Sequence, residues 1–255
     1  MTFPNTRTPS SVLPGAIVGD FVYFDDFIDG GGFVAATGPK VATTANVGTW
    51  HLTELGGATT TMIVQDDEPG GVVVISDAGS TNHGSNLQMN GAAFSVAAGR
   101  DLYWEMRWKP GHATQLDFVI GLLNAGVTAA IAGTVTQALV FRSGAVDTSP
   151  DNAGTADIIA SAGDDITSWT HANITEVDTG VNMVADTFVK TAIWLRTSGS
   201  QRRAIFYVNG KEILNTTSNI PDVGTALSPL IARQNNGGAA DMEVDYVYCA
   251  QTRAA

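Results

Sequence analysis

The sequence has a single cysteine, Cys249, among its 255 residues. One thiol excludes an internal disulfide framework and a zinc site built from cysteines. Long hydrophobic runs are also missing, because the stretches 72–75 and 129–132 are far shorter than the roughly 20 apolar residues of a membrane-spanning helix. No basic segment followed by an apolar run stands at the start. We therefore expect a protein that is made in, and soluble in, a reducing cytoplasm.

Positive charge is scarce in the chain. It has 13 Lys and Arg against 25 Asp and Glu, which gives a formal net charge of −12. Nucleic-acid binding depends on cations that displace counterions from phosphates, and the densest basic cluster is only the pair Arg202–Arg203. The sequence therefore predicts neither a nucleic-acid partner nor binding to an anionic membrane surface.

Residues that favour long helices are few, since only 15% of the chain is charged and 28 residues are glycine. Thr, Val and aromatic residues fit the pleated surface of a sheet, and glycines mark the turns between strands. The chain has no internal linker and no fixed-period repeat. We predict one all-β domain of about a dozen short strands.

The clearest strand lies at 100–109. Its alternation places Leu102, Trp104, Met106 and Trp108 on one face and Tyr103, Glu105 and Arg107 on the other. This period of two predicts one core-facing side and one outward side. Asn209–Gly210 between two apolar runs predicts a type I′ hairpin, because both central residues of that turn need a positive φ. Further strands are predicted at 20–28, 49–55, 72–77, 91–97, 115–123 (as the neighbour of 100–109), 137–143, 181–187, 191–197 and 240–251, and a short helix at 125–132.

Residues 1–18 are predicted to form an extended, proline-rich arm ahead of a β-sandwich at 19–255. Three prolines in the arm fix φ and disfavour helix in the residue before each. Phe3, Val12 and Leu13 would let the arm bind a neighbouring subunit by burying apolar surface. A disordered tail, the common fate of chain termini, is an equally good interpretation.

Several segments occur in a recognisable order along the chain. They are Phe-Asp-Asp-Phe at 24–27, Tyr-Trp-Glu-Met-Arg at 103–107, Phe-Tyr-Val-Asn-Gly-Lys at 206–211, Asn-Ile-Pro at 219–221 and Val-Asp-Tyr-Val at 244–247. This order resembles the concanavalin A-like lectin and glucanase jelly rolls, in particular those found as structural proteins of tailed phages. The resemblance covers roughly residues 20–250 and implies a two-sheet antiparallel jelly-roll sandwich.

The resemblance implies three alternative functions, because one fold hosts many functions. The first is a phage capsid cement or decoration protein, a homo-trimer in the virion that binds the major capsid protein or another virion protein. The second is a carbohydrate-binding module of a tail or fibre. The third is a glucanase-like hydrolase. We favour the first, which requires neither catalytic residues nor a cofactor.

Hydrolases with this fold carry Glu-x-Asp-x-Glu or Glu-x-Asp-x-x-Glu on one strand, and the alternation places those carboxylates on one face. The chain has two partial matches, Glu176/Asp178 and Glu243/Asp245, and neither is followed by the second glutamate. Retaining hydrolysis needs two carboxyl groups about 5–5.5 Å apart, a spacing that such a pair could reach. A solvated polar strand face is the simpler interpretation.

Trp169, in the polar segment 164–171, is the best candidate for an exposed contact with a sugar. His83 and Asn86, in the polar loop 82–86, are further candidates for ligand contact. Each has a simpler interpretation: the tryptophan as a loop anchor packed on the sandwich, and the loop residues as ordinary turn chemistry.

Acidic loops at 25–29, 66–68 and 147–151 have the oxygen ligands that calcium prefers, but none matches the EF-hand pattern. The four histidines are scattered and lack the spacing of a zinc site. The sequence therefore predicts no metal site.

Overall fold

In the computed structural model the described residues are all-β, and seventeen strands among them form two antiparallel sheets. Within the described residues the only helical segment is the 3₁₀ turn Gly144–Val146, and no helix there is long and apolar enough to cross a membrane. The structure describes residues 21–25, 44–47, 50–56, 60–65, 71–77, 81–89, 91, 94–124, 130–131, 135–146, 156–166, 169, 173–199 and 201–252.

The strands follow one another along the chain with short connections between most of them. They are β1 (Phe21–Asp25), β2 (Thr44–Val47), β3 (Trp50–Leu55), β4 (Thr60–Gln65), β5 (Val72–Asp77), β6 (Gly84–Met89), β7 (Phe94–Ser95), β8 (Leu102–Pro110), β9 (Leu116–Asn124), β10 (Gln137–Ser143), β11 (Asp157–Asp164), β12 (Ile174–Asn182), β13 (Val189–Ser198), β14 (Gln201–Val208), β15 (Lys211–Thr216), β16 (Ala226–Asn235) and β17 (Met242–Gln251).

The eight-stranded sheet has the spatial order β15-β14-β13-β8-β17-β5-β4, and β1 also pairs with β17. The nine-stranded sheet has the order β12-β11-β10-β9-β16-β6-β3-β2, with β7 paired to β16. Strands that are consecutive in sequence therefore often lie in different sheets, which is the arrangement of a jelly-roll sandwich. The predicted fold class is confirmed.

The core lies between the two sheets and consists of the inward-facing residues of both. Trp104 and Trp108 on β8 are fully buried there. The ring of Trp108 meets that of Phe118 on β9 at a centroid distance of 4.6 Å, and Phe141 on β10 meets Phe206 on β14 at 5.5 Å. Burial of each such side chain contributes roughly 1.5–3 kcal/mol, so these cross-sheet contacts hold the two layers together.

Local sequence patterns predict several elements well. The strands predicted at 72–77 and 137–143 match β5 and β10 residue for residue. Asn209 and Gly210 have φ values of 49° and 82°, so both central residues of the β14–β15 hairpin adopt the positive φ of a type I′ turn.

Other predictions of strand placement are wrong. The segment 115–123 was expected beside 100–109, but β9 lies in the sheet opposite β8, whose neighbours are β13 and β17. The strand expected at 181–187 ends at Asn182, and β12 begins eight residues earlier than Asn182, at Ile174.

In the predicted helix 125–132, Ala130 and Ile131 form a turn and the other residues lie outside the described part. The arm 1–18, with Phe3, Val12 and Leu13, also lies outside the described residues.

The last strand, β17, has different partners along its two edges. One edge pairs with β8 along almost the whole strand. The other edge pairs with β5 at Met242–Val244 and with β1 at Val247–Gln251. A register shift between Val244 and Tyr246 marks a β-bulge between these two halves.

Candidate functional site

The outward face of the nine-stranded sheet is covered by residues from the connections between strands. Strand residues such as Val119, Val140 and Leu230 form an apolar cluster there together with Ala130 and Trp169 from two connections. All five are at most 4% exposed, so this cluster offers little free apolar surface to a ligand.

Trp169 is one of the residues that cover this sheet, and at 4% exposure it has the burial of the loop anchor and not of the exposed sugar contact. Its Nε1 donates a hydrogen bond to the backbone carbonyl of Ala130 at 2.9 Å. The guanidinium of Arg142 lies 5.8 Å from the centre of the ring. A large ring with one donor gains more from this packing than from exposure, so Trp169 anchors its connection on the sheet.

Of the other two predicted contacts, Asn86 lies on the same covered face and His83 lies before β6. Asn86 points outward on β6, yet it is 1% exposed, and its side-chain oxygen accepts a hydrogen bond from the amide of Ala130 at 3.4 Å. His83 is half-buried, and its backbone carbonyl accepts a bond from the amide of Asn235 at 2.8 Å. Ala130 thus brings Asn86 and Trp169 together, whereas His83 lies before β6. Ligand contact by these residues stays a prediction.

Aromatic side chains gather on the outward face of the eight-stranded sheet. The pairing register places Phe24 on β1 opposite Tyr248, Tyr248 opposite Glu105, Glu105 opposite Ala192, and Ala192 opposite Tyr207. This row crosses five strands, and in the adjacent row Tyr103 lies opposite Trp194. We call the surface formed by Phe24, Tyr103, Trp194, Tyr207 and Tyr248 the aromatic face.

Rings of the aromatic face contact one another, and all except the buried Tyr103 remain partly open to solvent. Tyr248 lies 6.3 Å from Phe24 and 6.0 Å from Tyr103, measured between ring centroids. Phe24 is 42% exposed, and Trp194, Tyr207 and Tyr248 are half-buried. An exposed phenylalanine and three partly exposed aromatic rings on one sheet face are unusual surface for a protein that needs only to stay soluble.

Glu105 lies at the centre of the aromatic face and is fully buried. The phenols of Tyr103 and Tyr246 each donate a hydrogen bond to its carboxylate at 2.6 Å. Burial first, and the nearby Glu105 charge second, raise the pKa of both tyrosines far above their ordinary value. Both phenols therefore keep their protons and hold the carboxylate in one position.

Two cations border the aromatic face and are held by ion pairs. Arg107 pairs with Asp245, and Lys109 pairs with Glu243 at 2.9 Å. The ring of Phe188 lies 3.7 Å from the guanidinium carbon of Arg107, a distance typical of a cation–π contact. These contacts fix charged hydrogen-bond donors next to apolar rings.

The carboxylates considered for hydrolysis are engaged in structural contacts. Glu243 and Asp245 form the ion pairs just described. Glu176 forms an ion pair with the buried Arg142, and Asp178 accepts a hydrogen bond from the amide two residues further on at 2.8 Å. Each of these carboxylates therefore already has a partner within the fold.

No metal site appears among the residues that the structure describes. That part of the chain contains no group of three or more His, Cys, Asp or Glu side chains close enough to hold an ion. The acidic segments 66–68 and 147–151, and residues 26–29, lie outside it. Cys249 is fully buried, and burial raises the pKa of its thiol.

The sequence pattern missed the aromatic face, although one signal was present. Tyr103, Glu105 and Arg107 were assigned correctly to the outward side of β8, but they were not singled out as a site. A tyrosine and a glutamate on the same outward strand face could have indicated a site. The remaining rings come from strands that are distant in sequence, so only the sheet order reveals them.

The two antiparallel sheets give the chain the fold of a jelly-roll sandwich. No family model matches the chain, and no curated protein sequence matches it. Solved structures with the same fold include the carbohydrate recognition domain of Emp46p, which is 9% identical at a TM-score of 0.55 over 79% of this chain and 88% of the other.

Two enzymes with this fold are similar over almost the whole chain. The endo-1,3-β-glucanase of Streptomyces sioyaensis is 15% identical at a TM-score of 0.55, over 96% of this chain and 98% of the other. The endo-β-1,4-glucuronan lyase of Trichoderma reesei is 8% identical at a TM-score of 0.51, over 91% and 95%. At these identities the likeness establishes the fold alone.

Proposed function

We propose that this protein is a carbohydrate-binding jelly-roll module that binds a glycan on the aromatic face. The observation that carries the proposal is the cluster of partly exposed Phe24, Trp194, Tyr207 and Tyr248 rings around one charged centre. Pyranose rings present C–H groups that pack on aromatic surfaces, while their hydroxyls bond to charged and polar side chains. The aromatic face offers both kinds of contact within one surface.

Binding fits the geometry better than hydrolysis does. Retaining hydrolysis needs a nucleophile and an acid/base about 5–5.5 Å apart, both accessible to the sugar. Glu105 is fully buried beneath two phenols, and Glu243 and Asp245 are neutralised by Lys109 and Arg107. Several solved structures with this fold are enzymes. In our proposal this chain uses the same fold for binding and not for catalysis.

A glycan array tests the proposal directly. The wild-type protein is expected to bind a defined set of glycans, and Trp194→Ala and Phe24→Ala are each expected to weaken that binding about tenfold, or roughly 1.4 kcal/mol. Ile63→Ala is the matched control, because Ile63 is a 50% exposed apolar side chain on the edge strand β4 of the same sheet. An array without hits, or equal losses in all three variants, would remove the proposal.

Catalysis is tested separately on the glycans that bind. We expect no new reducing ends and no unsaturated products after prolonged incubation with the wild-type protein. Release of products that is abolished by Glu105→Gln would instead make the protein an enzyme and place its acid at the centre of the aromatic face.

A virion role remains a further proposal, supported by the sequence resemblance to tailed-phage proteins. In that role the protein is a trimeric capsid cement or decoration protein, or a fibre module, whose arm at 1–18 binds a capsid or other virion protein. The copy number in purified particles distinguishes these cases. Hundreds of copies relative to the major shell protein indicate cement, a few copies indicate a fibre, and absence from particles would remove the virion role.

A further inference from the structure

An open polar cleft of about 840 Å³ lies at the end of the β13–β14 hairpin. Its volume is in the range of small-molecule and cofactor sites. Three of the chain's 13 cations line it, together with one carboxylate and four neutral polar side chains. The lining residues are Asp101, Arg196, Thr197, Ser198, Gln201, Arg202, Arg203 and Thr217.

Two of these arginines stand directly opposite each other. Arg196 on β13 and Arg203 on β14 are register partners in an antiparallel pair, so their side chains leave the same side of the sheet about 4.5–5.5 Å apart at Cβ. Like charges in this position repel, and the arrangement destabilises the hairpin unless an anion lies between them. The protein as a whole carries a net charge of −12, which makes this concentration of positive charge more unusual.

The available carboxylates neutralise this pair only weakly. Asp101 lies 4.0 Å from the Nε of Arg196, and its other oxygen already accepts a hydrogen bond from the amide of Thr197 at 2.9 Å. Arg196 is 54% exposed and Arg203 is exposed. Within the part of the chain that the structure describes, no ion pair is formed by Arg203. Both guanidinium groups therefore have donors to offer to a ligand.

Arg202 also lines the cleft, but its guanidinium group is already bonded within the fold. It donates hydrogen bonds to the backbone carbonyls of Ile220 and Pro221, and it lies 3.2 Å from a carboxylate oxygen of Asp222. This side chain therefore fixes the connection before β16, whereas Arg196 and Arg203 are exposed and Arg196 has only the long contact with Asp101 as an ion pair.

The cleft is continuous with the aromatic face. The guanidinium carbon of Arg196 lies 4.7 Å from the ring centre of Trp194, which belongs to that face. Because Trp194 and Arg196 are two residues apart on one strand, both project to the outward side of the sheet. A sugar chain that packs on Trp194 would bring its next substituent to Arg196 and Arg203.

We propose that the cleft between Arg196 and Arg203 binds an oxyanion substituent, a carboxylate or a sulfate, of an acidic glycan. This inference rests on the proposed function, because it names the class of glycan that the aromatic face binds. Arginine matches the geometry of such groups, since its planar fork donates two parallel hydrogen bonds to one anion. The exposed side chains of Ser198, Gln201 and Thr217 in the lining supply further partners for the sugar.

The test uses a glycan array that carries neutral, uronate-bearing, sialylated and sulfated glycans. The wild-type protein is expected to bind acidic glycans at least tenfold more tightly than their neutral counterparts, prepared by reducing the carboxylate or removing the sulfate. Arg196→Gln with Arg203→Gln is expected to reduce this preference to less than twofold. Lys211→Gln is the matched control, because Lys211 is an exposed cation on β15 of the same sheet, outside the cleft.

The outcomes separate the two proposals. Neutral and acidic glycans bound equally well, with losses in Trp194→Ala, would overturn the acidic preference and leave the aromatic face as the binding site. An acidic preference lost equally in Lys211→Gln would show that acidic glycans are attracted to surface cations in general. That result would overturn the proposal that they bind in the cleft. Acidic glycans bound through the arginines but unaffected by Trp194→Ala and Phe24→Ala would remove the aromatic face instead. An array without hits removes both.

Discussion

Arg233 and Asp77 form an ion pair across the interior of the sandwich, and both side chains are completely buried. Arg233 belongs to β16 in the nine-stranded sheet, whereas Asp77 ends β5 in the eight-stranded sheet. Asp77 also accepts a hydrogen bond from the Thr60 hydroxyl at 2.7 Å, and Arg233 bonds to Asn235 and to the carbonyl of Ala240. Burial lowers the pKa of Arg233, and the Asp77 carboxylate opposes that shift.

Loss of one member of this pair is predicted to be more damaging than loss of both. Arg233→Met is expected to lower the free energy of unfolding by about 3–5 kcal/mol, because Asp77 is then a buried charge without its partner. Arg233→Met with Asp77→Asn is expected to restore part of that loss. Urea unfolding measures both, with Lys211→Met as a surface control within about 0.5 kcal/mol of wild type. A double variant no more stable than Arg233→Met would contradict the pairing.

The tyrosines that bind Glu105 predict a loss of stability at high pH. Their pKa values are raised in the folded protein, whereas the unfolded chain releases the same protons near pH 10. The contribution of both phenols is therefore complete below about pH 10 and decreases as the pH rises above it. Urea midpoints measured from about pH 8 to pH 11 should fall less steeply in Tyr246→Phe than in wild type. Identical slopes would contradict the shifted pKa values.

Trp169 is predicted to matter for stability and not for glycan binding. Trp169→Ala is expected to lower the free energy of unfolding by about 3–5 kcal/mol, since it removes a large buried ring. Trp169→Phe keeps most of the packing but loses the bond to Ala130, at a cost of about 1 kcal/mol. Both variants should keep the wild-type array profile where they remain folded. A profile altered in Trp169→Phe would return this residue to the binding site.

Labelling of Cys249 is predicted to report global unfolding, because Cys249 is the chain's single thiol and is fully buried. Burial also raises its pKa, so little reactive thiolate forms in the native state. A thiol reagent should label the native protein far more slowly than a free cysteine, and labelling should accelerate across the urea transition. Complete labelling within minutes in the absence of urea would show that β17 opens locally.

Local sequence patterns predicted the features of the fold that depend only on adjacent residues. The alternation in β8 identified its core side, and Asn209–Gly210 identified its hairpin, because each depends on a few neighbouring residues. The neighbours of β8 could not be predicted in this way. They are β13 and β17, which follow β8 by many tens of residues, and the sequence contains no short-range signal for such pairings.

The dependence on residues that are distant in sequence also explains why the site was not predicted. Polar neighbours of Trp169 suggested exposure, but a carbonyl 39 residues away in sequence, that of Ala130, decides its burial. The aromatic face likewise depends on register, since Phe24 and Tyr248 meet only when β1 pairs with β17. Sequence reasoning found the residues of β8 and β17 but had no means of placing them beside β1 and β13.

The position of β17 also has a consequence for how the chain is made. Until β17 inserts beside β8, the strands β15-β14-β13-β8 and β5-β4 are two separate pieces of the eight-stranded sheet, and β1 has no partner among the described strands. During translation the sheet therefore cannot close before residue 251 has left the ribosome. Pairings between such distant segments make folding slow, on the order of milliseconds to seconds, so the nascent chain has a prolonged need for protection from aggregation.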